Sequence, residues 1–418
     1  MRLNSSNELL RRVIEAFMFR GVGFLLLFVM HLTLGRILGP DGYGVFNFGL
    51  MTASLLVIFA SLGWPTAIMR LFAEYSAVKE WGLLIGASKR AVQIVLFTSL
   101  LFSLALFSIA QLDYFHAGQQ TGLRFAALLI PVLALIGLIR RGFIAFDRTN
   151  TSIALEDVLI PGLFISAIIV ADLAGIVQIS IAYLTTIIVT LLISLIVFSA
   201  VFRKQVPNAP AEYKTTYWSG IAAAMVLGGI GQIVINRMDV LMLGVMVEMD
   251  SVGIYVASNR LALVSTMALI AVHTVVAPKM ANAYYGNAHN EFRKLLYRSA
   301  TWSALGALPI VIVLILLPGF FLNLFGTGYE SGSTLLRILT VGQFVNAMTG
   351  SASFALLVTG REKQFAMTMG LIAVLNIVGN LIAIPIAGAL GAAIVSAICV
   401  TILNVWQFRL ALKIKVRE

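Results

Sequence analysis

Twelve runs of mostly apolar residues follow one another along this chain, at 13–35, 44–63, 90–110, 123–146, 156–175, 178–202, 218–247, 252–276, 295–317, 335–358, 365–385 and 389–411. A helix rising 1.5 Å per residue needs about 20 such residues to cross a hydrocarbon layer about 30 Å thick. Composition agrees with that reading. Of the 418 residues, 60% are hydrophobic and only 11% are charged, against about 25% charged in an average soluble domain. So few charges cannot coat a water-facing surface, which excludes a soluble enzyme. The first run is too long for a cleavable leader. The single cysteine, Cys399, lies inside an apolar run and excludes a disulfide framework or a multi-cysteine metal site.

An even number of spans puts both termini on one side. Of the 29 Lys and Arg residues, 23 fall on the face that carries the termini, and only Arg36, Arg124 and Arg337 fall on the other. Basic loops stay on the cytoplasmic side, so both termini are expected in the cytoplasm, with the chain in the cytoplasmic membrane. The same bias accounts for the net charge of +11 without nucleic acid. The stretches 66–89 and 277–294 read as interfacial helices or helix extensions, and a Gly-rich loop near 318–332 lies outside. No segment can house a separate catalytic domain.

The chain also repeats itself. Leu34-Gly35, Asp41 and Gly44-Val45-Phe46 recur as Leu243-Gly244, Asp250 and Gly253-Ile254-Tyr255. Arg70 and Tyr75 correspond to Lys279 and Tyr284, and Ala182 to Gly391, always 209 positions apart. Six spans per repeat insert both halves in the same orientation, related by an axis along the membrane normal. The expected organisation is an N-terminal six-helix bundle over 1–205 and a C-terminal one over 218–418. A hydrophilic linker over 206–217, with Pro207 and Pro210, joins them.

Several motifs now carry a resemblance: Leu34-Gly-Arg-Ile-Leu-Gly-Pro-Asp-Gly-Tyr-Gly-Val-Phe46, Ala60-Ser-Leu-Gly-Trp-Pro-Thr66, Arg70-Leu-Phe-Ala-Glu-Tyr75, Ile235-Asn-Arg-Met-Asp-Val-Leu-Met-Leu-Gly244 and Gly388-Ala-Leu-Gly-Ala-Ala393. Together they resemble the polysaccharide-biosynthesis, O-antigen-type flippases of the multidrug/oligosaccharidyl-lipid/polysaccharide transporter superfamily. The resemblance spans essentially the whole chain. It implies an all-α membrane protein with twelve transmembrane helices, in two pseudo-symmetric six-helix bundles around a central cavity, working by alternating access.

Ionisable residues inside spans cost about 2.5–3.5 kcal/mol on insertion scales and are functional candidates by default. Arg20 and Arg260 each lie about two turns into their spans, at positions similar to the cavity-lining arginines of the related murein-precursor flippases. Arginine suits a phosphate ligand, because its planar fork stays charged and donates bidentately. Snorkelling to an interface is the alternative.

In span 7, Gly228, Gln232, Asn236 and Asp239 form one stripe, and Arg237 points elsewhere; Arg237 is a further substrate-binding candidate. Asp239 and Glu15 are the coupling-ion candidates for Na⁺ or H⁺. A structural hydrogen bond for Asp239, and solvation or pairing with Arg11 or Arg12 for Glu15, remain open. Gln343, Asn346, Gly350 and Ser353 share a face of span 10, and Asn376 and Asn380 lie one turn apart in span 11. Amides suit sugar hydroxyls and serve equally as interhelical glue.

Catalytic signals are poor. The four histidines lack metal-ligand spacing, no phosphate-binding Gly-x-x-x-x-Gly-Lys loop is present, and no cofactor is implied. Glu248 and Asp250 read as an ordinary outer turn. The expected activity is non-enzymatic: flipping an isoprenoid-(pyro)phosphate-linked oligosaccharide outward, with that substrate and membrane lipids as partners. An ion-coupled multidrug exporter of the same superfamily is the first alternative, and a membrane glycan polymerase or ligase the second. The membrane potential alone favours outward movement of an anion by about 2.3 kcal/mol per charge per 100 mV; coupling to Na⁺ or H⁺ is the rival drive.

Overall fold

A computed structural model describes the backbone over residues 6–414 and the side chains over 18–226, 237–288 and 290–414. The described chain is helical throughout. In order it forms α1 (Ser6–Ala60), α2 (Trp64–Val78), α3 (Trp81–Ile109), α4 (Ala117–Ala145), α5 (Thr149–Ile153), a π-helix (Ala154–Leu159), α6 (Ile160–Val170), α7 (Ile176–Gln205) and α8 (Thr215–Met246). It continues with α9 (Met249–Val264), α10 (Met267–Tyr285), α11 (His289–Leu316), α12 (Pro318–Leu322), two short 3₁₀ turns, α13 (Ser333–Thr349), α14 (Ala352–Val358) and α15 (Glu362–Leu412).

Each of the twelve expected runs falls on helix. Among the described residues seven helices are long and apolar enough to cross a membrane, and two bent pairs, α9–α10 and α13–α14, bring the number to nine. Two of the seven are broken inside. Helix α1 breaks at Gly39 (φ 64°, ψ −178°), followed by Pro40, and α15 breaks at Gly388 (φ 55°, ψ −135°). At 51 residues α15 is about 75 Å of helix, enough for two crossings. Its two legs touch at glycine: a Cβ on Gly379 would lie 2.9 Å from Val395, and one on Gly391 would overlap the Ala383 carbonyl. Small residues let helix backbones approach where no hydrophobic force draws them together.

The stretches 66–89 and 277–294, expected as interfacial helices or helix extensions, are helical apart from short breaks at 79–80 and 286–288. Helix α2 follows the break at Leu62–Gly63 and buries Trp64, Ile68, Leu71, Phe72 and Tyr75. The face expected to be unbroken over Gln343–Ser353 is interrupted at Gly350 (φ 57°, ψ −135°), which puts Ser353 on α14.

Two compact units result, one made of 1–38 and 48–230, the other of 39–47 and 231–418. In the first, α2, α3 and α4 pack around Trp64, Leu71, Phe72, Leu84, Ala91 and Trp218. The 206–214 stretch is tied down here. The Glu212 N–H donates to the Gly82 carbonyl at 3.0 Å, a Cβ on Gly86 would overlap the Glu212 carbonyl, and Trp218 Nε1 donates to the Tyr75 hydroxyl at 2.9 Å. On α3 the large residues Leu96, Phe97, Leu100, Leu101 and Leu104 are exposed, a lipid-facing stripe at helical spacing.

The second unit takes in nine residues of the first repeat. A Cβ on Gly44 would overlap the Met249 carbonyl, and one on Gly253 would overlap the Pro40 carbonyl. Gly44 and Gly253 are 209 apart, as are Pro40 and Met249. Residue i meets j′ while j meets i′, the reciprocity of a two-fold contact. The Gly-rich stretch after α11 is no open loop: Phe325 and Tyr329 are fully buried around Tyr43.

Candidate functional site

The second unit holds a carboxylate deep in its interior. Asp239, 7% exposed on α8, accepts hydrogen bonds from four side chains on three other helical segments. The Tyr255 hydroxyl of α9 donates at 2.9 Å, Asn376 Nδ2 at 3.0 Å and Asn380 Nδ2 at 2.8 Å, both from the first leg of α15, and Ser396 Oγ donates from its second leg. Tyr255 and Ser396 also contact each other at 3.1 Å, and Asn380 Nδ2 reaches Asn376 Oδ1 at 3.2 Å. One acceptor is left over: Asn380 Oδ1 is buried without a partner.

A carboxylate in a low-dielectric interior is tolerable only when its lone pairs are satisfied, and four donors do that. The cluster also holds the makings of a cation site. Turning both amides by 180° replaces their N–H donors by carbonyl oxygens. Asp239, Asn376, Asn380, Ser396 and Tyr255 would then present only oxygens, the ligand type hard cations take.

Two residues earlier, α8 presents a different surface. Arg237 is half-buried, and its guanidinium lies within electrostatic range of that of Arg260 on α9. Among the described residues neither guanidinium pairs with a carboxylate. Arg260 also lies within electrostatic range of Tyr43, a residue that is 0% exposed, with ring centroids 6.0 Å from Phe325 and 6.1 Å from Tyr329. Two like charges within electrostatic range of each other, without a carboxylate partner among the described residues, form a place where an anion lowers the energy of both.

The remaining expected residues lie as follows. Arg20 is exposed on α1 of the first unit, one turn from Gly23, whose Cβ would press on Asp157 at 2.8 Å. The Glu15, Gln232 and Asn236 side chains lie outside the described residues. Gln343 and Asn346 are half-buried on α13 and bonded to each other at 3.2 Å. Ser353 donates to Gln407 Oε1 at 2.6 Å, and Gln407 Nε2 donates to Thr368 at 3.0 Å, stitching α14 to both legs of α15. Asn376 and Asn380, read from sequence as sugar ligands or glue, are partners of Asp239. Tyr255 was read only as the repeat position matching Phe46, and Ser396 was not singled out; nothing in their local sequence marks them as partners of Asp239. The first unit has an ion pair that sequence reading also passed over, Arg140 with Glu156 at 2.7 Å, the acid standing on the π-helix. Among the described residues no group of three potential metal ligands of the His, Cys, Asp and Glu type occurs.

The described chain thus combines broken, glycine-packed helices, long and apolar enough to cross a membrane, with a buried carboxylate and two arginines that have no carboxylate partner among the described residues. A solved multidrug resistance MATE family transporter of the MOP superfamily, in an inward-facing conformation, is similar with a TM-score of 0.75 at 12% identity, covering 96% of this chain and 97% of that one. The lipid II flippase MurJ, in an inward closed conformation, is similar with a TM-score of 0.65 at 14% identity, covering 96% and 87%. At such identities the likeness establishes the fold. The MatE family model matches residues 224–382, and the model described as polysaccharide biosynthesis protein matches residues 9–283, more than half of the chain. The chain therefore belongs to the polysaccharide biosynthesis protein family, as the motifs around Leu34–Phe46 and Ile235–Gly244 imply. No curated protein matches it in sequence.

Proposed function

We propose that this transporter flips an isoprenoid-(pyro)phosphate-linked oligosaccharide from the inner to the outer leaflet by alternating access, for polysaccharide biosynthesis. The observation that carries the reading is the pair Arg237 and Arg260, cationic side chains inside the membrane with no carboxylate partner among the described residues. A phosphate or pyrophosphate satisfies both through charge-assisted, bidentate hydrogen bonds. Arg20 belongs to the same reading as a cation near the inner end of α1, and the Gln343–Asn346 amides as sugar contacts. The chain lies in the cytoplasmic membrane with both termini inside, and its two sequence repeats, 1–205 and 218–418, are joined by 206–217. Transport is its role, with no reaction catalysed and no cofactor required.

Asp239 is the coupling-ion residue, exchanging its hydrogen bonds for Na⁺ or H⁺ as the cycle turns; Glu15 is the other candidate. Ion-coupled export of small cationic compounds is the second reading, and the buried Asp239 favours it, because a buried intramembrane acid is what a cation-exchanging pump requires. Reconstitution separates them. Proteoliposomes loaded with a fluorescent isoprenoid-pyrophosphate oligosaccharide should show its leaflet translocation, whereas uptake of a cationic dye alone would select the exporter.

A further inference from the structure

Two spans of the second unit are bent, and a histidine from one touches the break in the other. Helices α9 and α10 meet at 43°, and α13 and α14 at 44°. The second bend is set at Gly350, whose φ of 57° favours glycine. It is wedged against α11: a Cβ on Gly350 would lie 2.5 Å from the Ala300 nitrogen, and the Ser351 N–H donates to Ser299 Oγ at 3.2 Å. Ser351 is 2% exposed, and its hydroxyl lies 3.1 Å from Nδ1 of His273 on α10. The Phe354 ring, in the first turn of α14, meets the imidazole edge to face, 5.2 Å between centroids.

A histidine inside a span is a functional candidate by default, and no role assigned above uses this one. His273 is half-buried and stands three residues before the end of the apolar run 252–276. Helices α11 and α14 pack against α10, and neither turns a charge towards it. Helix α14 has no ionisable side chain. On α11, Glu291, Arg293, Lys294, Tyr297 and Arg298 are exposed, whereas Ser299 and Ala300 are buried; Lys279, on α10 itself, is exposed about 9 Å further along the axis. Among the described residues no charged side chain acts on His273. Imidazole is the side chain whose ordinary titration falls between about pH 5 and 8. Neutral and protonated at Nε2, it accepts a hydrogen bond from the Ser351 hydroxyl through Nδ1. Once Nδ1 is protonated it can no longer accept, and the charge is drawn away from Phe354 towards water. We propose that His273 is a proton-binding site whose occupancy works the bend of the 335–358 span: the neutral ring holds Ser351 and α14 in place, and protonation releases them. The site is separate from Asp239, and it stands whatever substrate the transporter carries.

The test is hydrogen–deuterium exchange on the purified full-length protein in detergent, corrected for the intrinsic pH dependence of amide exchange. It needs no substrate, so its outcome is independent of the flippase reading. In the wild type, peptides covering 348–358 should exchange about fivefold faster at about pH 5.5 than at about pH 7.5, the scale of one lost hydrogen bond. His273→Gln stays uncharged and keeps an acceptor for Ser351, so it should exchange slowly at both values. Ser351→Ala removes the partner and should exchange fast at both. In ¹³C spectra of ring-labelled histidine, the signal missing from His273→Gln should titrate over the same interval. Equal corrected exchange at the two values in the wild type overturns the proposal without recourse to any variant. An undiminished pH response in His273→Gln, or a His273 ring signal that does not titrate in that interval, overturns it as well.

Discussion

Asp239 and Arg237 stand two residues apart on one helix and live in opposite circumstances. A helix turns about 200° over two residues, so one side chain faces the α9–α15 interior and the other faces away. Asp239 has four donors on its two oxygens. Arg237 has a second arginine for a neighbour and, among the described residues, no acid. A satisfied buried charge holds helices together until an ion competes for it. An unsatisfied one is a vacancy for a ligand of opposite sign. On the proposed function, helix α8 thus offers structure and coupling on one face and a substrate seat on the other.

The largest expected effect comes from breaking the satisfied side. Asp239→Ala leaves the donors of Tyr255, Asn376, Asn380 and Ser396 without their acceptor, and should destabilise the second unit by about 3 kcal/mol or more, read as a fall in the thermal midpoint in detergent. Asp239→Asn keeps the shape and loses the charge; it should hold the fold and lose any stimulation of transport by a Na⁺ or H⁺ gradient.

Breaking the unsatisfied side should do the reverse. Arg260→Ala removes a repulsion as well as a ligand, so the thermal midpoint should hold or rise while glycan export falls about ten- to thirtyfold, the equivalent of about 1.4–2 kcal/mol. Arg260→Lys should recover only part of that loss, because the charge returns without the fork.

How much of this contrast was legible in the sequence follows from where each signal resides. The spans could be read because twenty apolar residues in a row are a local property, and even the hairpin inside α15 was visible as two runs, 365–385 and 389–411. The opposed directions of Arg237 and Asp239 were readable from helical periodicity alone. What Asp239 touches was not. Tyr255 and Ser396 come from other helices, and only the bend at Gly388 folds Ser396 back beside Asn380. The Asn376–Asn380 spacing gave a face without naming what it faced. The Gly-rich stretch 318–332 reads as an outer-side loop because glycine is a turn signal; the burial of the aromatic pair Phe325 and Tyr329 within it is a feature that composition-based reading averages away.

A smaller effect sharpens the distinction between a site and glue. Ser353→Ala breaks the hydrogen bond to Gln407 and leaves an amide partly unsatisfied, at a cost of about 1 kcal/mol in stability. Export should be unchanged within a factor of two, measured on the same preparation as Arg260→Ala. A loss of export comparable to that of Arg260→Ala would move the α14–α15 network from packing into the transport path.

The most direct test of the account is leaflet translocation of a fluorescent isoprenoid-pyrophosphate oligosaccharide in proteoliposomes, comparing wild type, Arg237→Ala/Arg260→Ala and Asp239→Asn with and without an imposed Na⁺ or H⁺ gradient. The account predicts that the double arginine variant flips almost nothing under any gradient. It predicts that Asp239→Asn flips at the wild-type ungradiented rate and ignores the gradient. Wild-type flipping by the double arginine variant, or a normal gradient response in Asp239→Asn, would contradict it.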